Sequence, residues 1–163
     1  MRKFIFIFSF ICLFASCSKK ENIPITPTIN YSDFVVRYES TSLGQQLTGV
    51  LSFTFTDGDG DIGFFENSDT TNNHSDIIYD LIIYEYRKQN GQFVINDTIR
   101  YWMPYFEKGI YKQSIKGSID VKLIRTIHSI DTAQYRFFIK DRGNNQSNVE
   151  QTPEIIYSDQ VQQ

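Results

Sequence analysis

Hydrophobic and polar residues alternate along most of the chain with a period of two. Leu51, Phe53 and Phe55 are interleaved with Ser52, Thr54 and Thr56, and Ile119, Val121 and Leu123 with Asp120 and Lys122. Tyr135, Phe137 and Ile139 alternate with Arg136 and Lys140, although Phe138 places an extra ring on the outer face. Successive side chains of an extended strand point to opposite sides, so this pattern predicts strands with one buried and one wet face. No window sustains a helical period. Short runs of Val, Ile, Thr, Tyr and Phe broken by Gly, Asn and Asp predict seven strands, at 33–39, 47–56, 77–87, 92–102, 116–125, 134–140 and 148–157. Between the third and fourth, Gln89-Asn90-Gly91 offers the positive φ angles of a tight hairpin turn. Seven short strands over about 125 residues predict an all-β, two-sheet antiparallel sandwich.

The N-terminus follows a different pattern. Arg2-Lys3 precedes an apolar run from Phe4 to Phe14, interrupted only by Ser9, too short for a permanent span but suited to a secretory leader. The run ends in Phe14-Ala15-Ser16-Cys17, which resembles a bacterial lipoprotein signal peptide. That resemblance implies cleavage after residue 16 and acylation (palmitate and related chains) of Cys17; the alternative is a plain secretory leader with an incidental cysteine. Acyl chains contribute about 0.8 kcal/mol per buried methylene, so several on one cysteine anchor a protein stably. With Cys12 in the leader and Cys17 acylated, no thiol remains for a disulfide or a nucleophile. Residues 17–30 are polar and carry two of the four prolines, and read as a lipidated cysteine followed by a flexible tether. The charges just after Cys17 resemble the export signals of Bacteroidetes lipoproteins, which implies an outer-membrane location on the periplasmic or cell-surface face.

Residues 31–158 are then expected to be one domain. At 40% hydrophobic and 15% aromatic, the chain is too apolar for disorder. A formal charge of −3 argues against nucleic acid, whose phosphates would be repelled. Asp131-Thr-Ala-Gln-Tyr135-Arg-Phe137 resembles the segment that leads into strand F of immunoglobulin-like domains, and Asp141-Arg-Gly143-Asn144 to Ser147 resembles the turn between strands F and G of bacterial immunoglobulin-like and fibronectin-like modules. The resemblance implies an immunoglobulin-like sandwich with Tyr135 half-buried and its hydroxyl bonded at the corner between strands E and F.

The most distinctive stretch is Asp57-Gly58-Asp59-Gly60-Asp61-Ile62-Gly63, directly after the second strand. Three carboxylates at alternate positions, separated by glycines, can converge on one centre as hard oxygen ligands for calcium. An EF-hand is excluded, because its glycine at position six is Ile62 and its glutamate at position twelve is Ser68. The stretch resembles one in small lipoproteins of the Bacteroidetes, a family that implies no particular chemistry. If the strand before Asp57 is B and the strand before Asp141 is F, the following loops emerge at one pole. Asp57, Asp59, Asp61, Asp141 and Asn144 are therefore the candidate metal ligands. The alternative is a solvated turn, with Asp141 capping the next hairpin.

The loop 64–76 is long and polar and contains His74, a further ligand candidate; His128 has no obvious partner. Tyr101-Trp102-Met103-Pro104-Tyr105-Phe106, with Tyr111 nearby, is the densest aromatic stretch of the mature chain. Tyr101, Trp102 and Tyr105 are candidates for stacking on a glycan or gripping a peptide, although alternation sends Trp102 the opposite way from Tyr101, Met103 and Tyr105. Three Asp-Thr-x triplets, starting at Asp69, Asp97 and Asp131, resemble O-glycan acceptors of exported Bacteroidetes proteins. No nucleophile elbow, phosphate-binding glycine loop or pair of opposed carboxyls is present, so no catalytic role is expected. The sequence points to an exported, membrane-anchored lipoprotein with a structural or ligand-binding domain and a candidate calcium site. The alternative is a carbohydrate- or peptide-binding accessory protein.

Overall fold

The computed structural model describes residues 22–42, 44–63, 79–105, 114–125 and 132–157. Cys17, His74, His128, Tyr111, the loop 64–76 and the triplet positions Asp69 and Asp131 lie outside the described residues.

Among the described residues, eight strands form two antiparallel sheets: β1 (Thr28–Thr41), β2 (Gly44–Asp57), β3 (Leu81–Gln89), β4 (Gln92–Tyr101), β5 (Ile115–Arg125), β6 (Thr132–Ile139), β7 (Glu150–Gln151) and β8 (Ile155–Ile156). One sheet has the order β1-β2-β5; the other runs β4-β3-β6-β7, with β8 also paired to β6. In immunoglobulin-like lettering these are A-B-E and C′-C-F-G, a sandwich in which the steps from β2 to β3, β4 to β5 and β5 to β6 change sheet. The inner faces meet in one core. Leu51, Phe53 and Phe55 of β2 and Tyr135, Phe137 and Ile139 of β6 are buried, and Phe53 lies 5.1 Å from Phe137 between ring centres. The strands β3 and β4 turn at Asn90 and Gly91, with φ of 50° and 80°, as the Asn-Gly pair predicts.

Four expectations change. The first strand starts at Thr28, inside the segment read as tether, because β2 is long enough for Thr56 to pair with Thr28. The third starts at Leu81, since Asp80 turns its side chain to the Met103 N–H. The last is split into β7 and β8 at Thr152-Pro153. There the Thr152 N–H still donates to the Tyr135 carbonyl at 2.9 Å, but the Tyr135 N–H is accepted by Thr152 Oγ1 at 3.0 Å, which itself donates to the Pro153 carbonyl at 2.8 Å, so a side chain replaces half of the strand pairing. Tyr135 is fully buried rather than half-buried. Its ring stacks 5.2 Å from Phe34 and its hydroxyl bonds to that of Tyr157, which closes the C-terminal end of the described chain onto the core. The corner after β5 lies outside the described residues. Phe138 does face outward, but Tyr84 covers it at 6.2 Å.

The connectivity positions the site. The exits of β2 and β6 and the entry to β1 fall at the same end of the sandwich. Asn148 fastens that corner: its Oδ1 accepts the Ile29 N–H at 2.8 Å and its Nδ2 donates to the Ile29 carbonyl at 2.9 Å, as a neighbouring strand would.

Candidate metal centre

Asp57 ends β2, and its Oδ2 accepts the Asp61 N–H at 2.7 Å, closing a tight turn over Gly58 to Gly60. Short polar side chains make such bonds readily, and Gly60 takes the positive φ of 66° that the turn requires. The turn is not a solvated one. Asp57 is completely inaccessible and Asp61 nearly so, while Asp59 is half-buried. Carboxylate oxygens of the three lie within 4.8 Å of one another. Two ligands each about 2.4 Å from a common ion can be at most about 4.8 Å apart, so this spacing fits calcium.

The second loop comes from β6. Asp141 is buried; its Oδ1 accepts the Asn145 N–H at 2.7 Å and its Oδ2 accepts Asn145 Nδ2 at 2.8 Å. A methyl group on Gly143 would stand 3.2 Å from Asp141 Oδ1 and 3.7 Å from Asp61 Oδ2, so the two carboxylates flank one point. Asn144 is exposed at a φ of 63° and makes the turn; it is Asn145 that faces Asp141.

Arg142 joins the loops. Its N–H donates to the Asp61 carbonyl at 3.0 Å, and its guanidinium donates to the carbonyls of Ile62 at 3.1 Å, Gly63 at 2.7 Å and Gly60 at 3.4 Å. The guanidinium also lies over the Tyr105 ring at 4.7 Å. These bonds draw the acidic turn against the F–G turn.

The electrostatics carry a penalty. Burial, opposed by the Asp61 N–H and reinforced by the charges of Asp59, Asp61 and Asp141, pushes the Asp57 carboxyl up to about 6. Asp57 Oδ1 and Asp59 Oδ1 are shielded from solvent and have no hydrogen-bond partner among the described residues. Buried carboxylate oxygens are expensive without a compensating donor or cation. A bound cation would supply the missing partner and remove the mutual repulsion.

Beside this centre, Asp80 is wholly buried. Its Oδ1 accepts the Met103 N–H at 2.6 Å, its N–H donates to the Tyr101 carbonyl at 3.1 Å and its carbonyl accepts the Lys140 N–H at 2.7 Å. Burial raises its carboxyl to about 7.

The aromatic stretch does not form one face. Tyr101 is half-buried with its hydroxyl donating to the Lys122 carbonyl at 2.8 Å, Met103 is buried and Tyr105 lies under Arg142. Trp102 alone of the three candidates is exposed, at 48%. Of the proposed ligands, then, the three aspartates of the turn come together, Asp141 borders them and Asn144 stands apart. Arg142, Asn145 and Asp80 escaped the sequence reading. Their roles depend on carbonyls and amides brought close only by the sandwich, and no local pattern announces them.

In comparisons with protein families, curated proteins and solved structures, none matches the chain.

Proposed function

We propose that this chain is an exported lipoprotein of the outer membrane, anchored through acylated Cys17, whose sandwich is a non-catalytic structural or ligand-binding domain stabilised by a calcium ion at the B–C and F–G pole. The observation that carries the metal reading is Asp57: its Oδ1 is fully buried without a hydrogen-bond donor among the described residues, and its carboxylate lies within ligand spacing of those of Asp59 and Asp61. Asp57, Asp59 and Asp61 would hold the ion, with Asp141 beside them supplying further negative charge. Calcium suits this oxygen-only set better than magnesium, which demands stricter octahedral geometry. A structural ion fits the burial of the loop and the clamp of Arg142 on its carbonyls. The anchor reading is supported by the apolar leader ending in Ala-Ser-Cys.

Melting curves in EGTA and in millimolar calcium test the metal on wild type and Asp59→Ala. A rise with calcium in wild type that the variant lacks supports it, and no rise in either refutes it. Mass spectrometry of the native protein tests the anchor: diacylglycerol on an N-terminal Cys17 is expected, and an unmodified thiol there contradicts it.

A further inference from the structure

The chain enters the sandwich directly beside the acidic turn, and Gly58 marks the contact. This residue separates Asp57 from Asp59, and its φ is outside the left-handed region, so its backbone would accept other residues. What excludes a side chain is the arm of residues 22–27. A Cβ on Gly58 would fall well inside contact distance of the carbonyl oxygens of Ile23 and Pro24 and 2.7 Å from the Pro24 carbonyl carbon. The obstruction is backbone, which no change of rotamer relieves. The arm therefore lies on the part of the turn that joins two of the proposed ligands. Pro27 is buried at the base of the arm, just before β1 pairs with β2.

We propose that the arm is a clasp on the cation site, so that ion binding and arm docking are coupled; this rests on the calcium reading above. The unsatisfied oxygens of Asp57 and Asp59 push the turn apart when no cation is bound, and closing them around an ion fixes Gly58 in the shape on which the arm lies. Coupling is reciprocal: a docked arm must favour the ion by the factor with which the ion favours the docked arm. The consequence concerns the anchor. Ile23 is the sixth residue after Cys17 and Thr28 the eleventh. An extended chain therefore reaches at most about 20 Å from Cys17 to a docked Ile23, and roughly 35–40 Å once the arm is released as far as Thr28. With calcium, the acidic pole is held next to the bilayer on a short lead. Without it, the sandwich swings on a longer one.

The test uses the full mature chain with its lipid, in detergent, and compares wild type with Gly58→Ala and with the double variant Ile23→Gly/Pro24→Gly, which loosens the arm without touching a ligand. Calcium affinity is measured by calorimetry, and arm docking by the rate of trypsin cleavage after Lys19 or Lys20, whose following residues must enter the protease extended. The expected result is about tenfold weaker calcium binding in both variants at unchanged stoichiometry, with calcium slowing cleavage in wild type and not in Gly58→Ala. Wild-type affinity in the loosened arm, or cleavage indifferent to calcium in a wild type that binds it, overturns the clasp and leaves the calcium site standing. A wild type that binds no calcium overturns both.

Discussion

Replacing Asp57 by asparagine should stabilise the metal-free protein and destabilise the calcium-loaded one. The carboxyl moves from its ordinary 3.8 to about 6 on folding, chiefly through burial and then through the neighbouring aspartates. At about 1.4 kcal/mol for each tenfold change in proton affinity, this corresponds to about 3 kcal/mol, which local relaxation and water reduce to on the order of 1–3 kcal/mol. The folded state holds the proton more tightly than the unfolded state, so stability declines as pH rises from about 4 to about 6, and the full penalty persists at pH 7. Asparagine keeps an oxygen for the Asp61 N–H and replaces the buried, unpartnered Oδ1 with a neutral amide donor. In EGTA at pH 7, urea unfolding should therefore show Asp57→Asn more stable by on the order of 1–3 kcal/mol, roughly 3–12 °C in Tm, with the gap closing toward pH 4. In calcium at one thousand times its Kd, wild type gains about 4.1 kcal/mol and the variant much less, so the order reverses. A variant less stable than wild type in EGTA at pH 7, by an amount independent of pH, would overturn this expectation, because Asp57 would then be stabilised by its surroundings rather than burdened by them.

Arg142→Ala loses the guanidinium bonds to Gly60, Ile62 and Gly63 and the stacking on Tyr105; chemical denaturation should show a loss of about 2–3 kcal/mol, together with weaker calcium binding. Asp80 has its carboxyl raised to about 7 by burial. The protein should therefore lose stability as pH rises from about 4 to about 7 and level off above, a decline that Asp80→Asn flattens in urea titrations at fixed EGTA. Phe137 sits in the centre of the core and Trp102 is exposed. Thermal melts should separate them, with Phe137→Ala costing about 3–5 kcal/mol and Trp102→Ala staying within about 1 kcal/mol.

The sandwich was legible where alternation is sustained, as in β2 and β5 and, but for Phe138, in β6, and where a turn has its own chemistry, as at Asn90-Gly91. The start of β1 was hidden by a bulge between Tyr31 and Asp33. Ile29 and Tyr31 before it, and Phe34 and Val36 after it, pack into the core, so one extra residue shifts the period from odd to even positions and breaks the pattern. Glycines at alternate positions disclosed the acidic turn, and the B and F assignments correctly put Asp141 beside it. Its burial was not disclosed, because Asp-Gly-Asp-Gly reads equally well as a wet turn. What buries it are Arg142 and the arm at Ile23-Pro24, contacts between segments far apart in sequence that no local spacing encodes.

If the buried carboxylates of Asp57, Asp59 and Asp61 are there to hold an ion, the ion must bind at the stoichiometry of the turn. Calorimetric titration of calcium into the mature, chelator-treated protein at pH 7, beside Asp59→Ala, decides this. Saturable binding of one ion per chain is expected in wild type and none in the variant. Absence of heat and of any saturable binding in a folded wild type would leave the three carboxylates without the role given to them here.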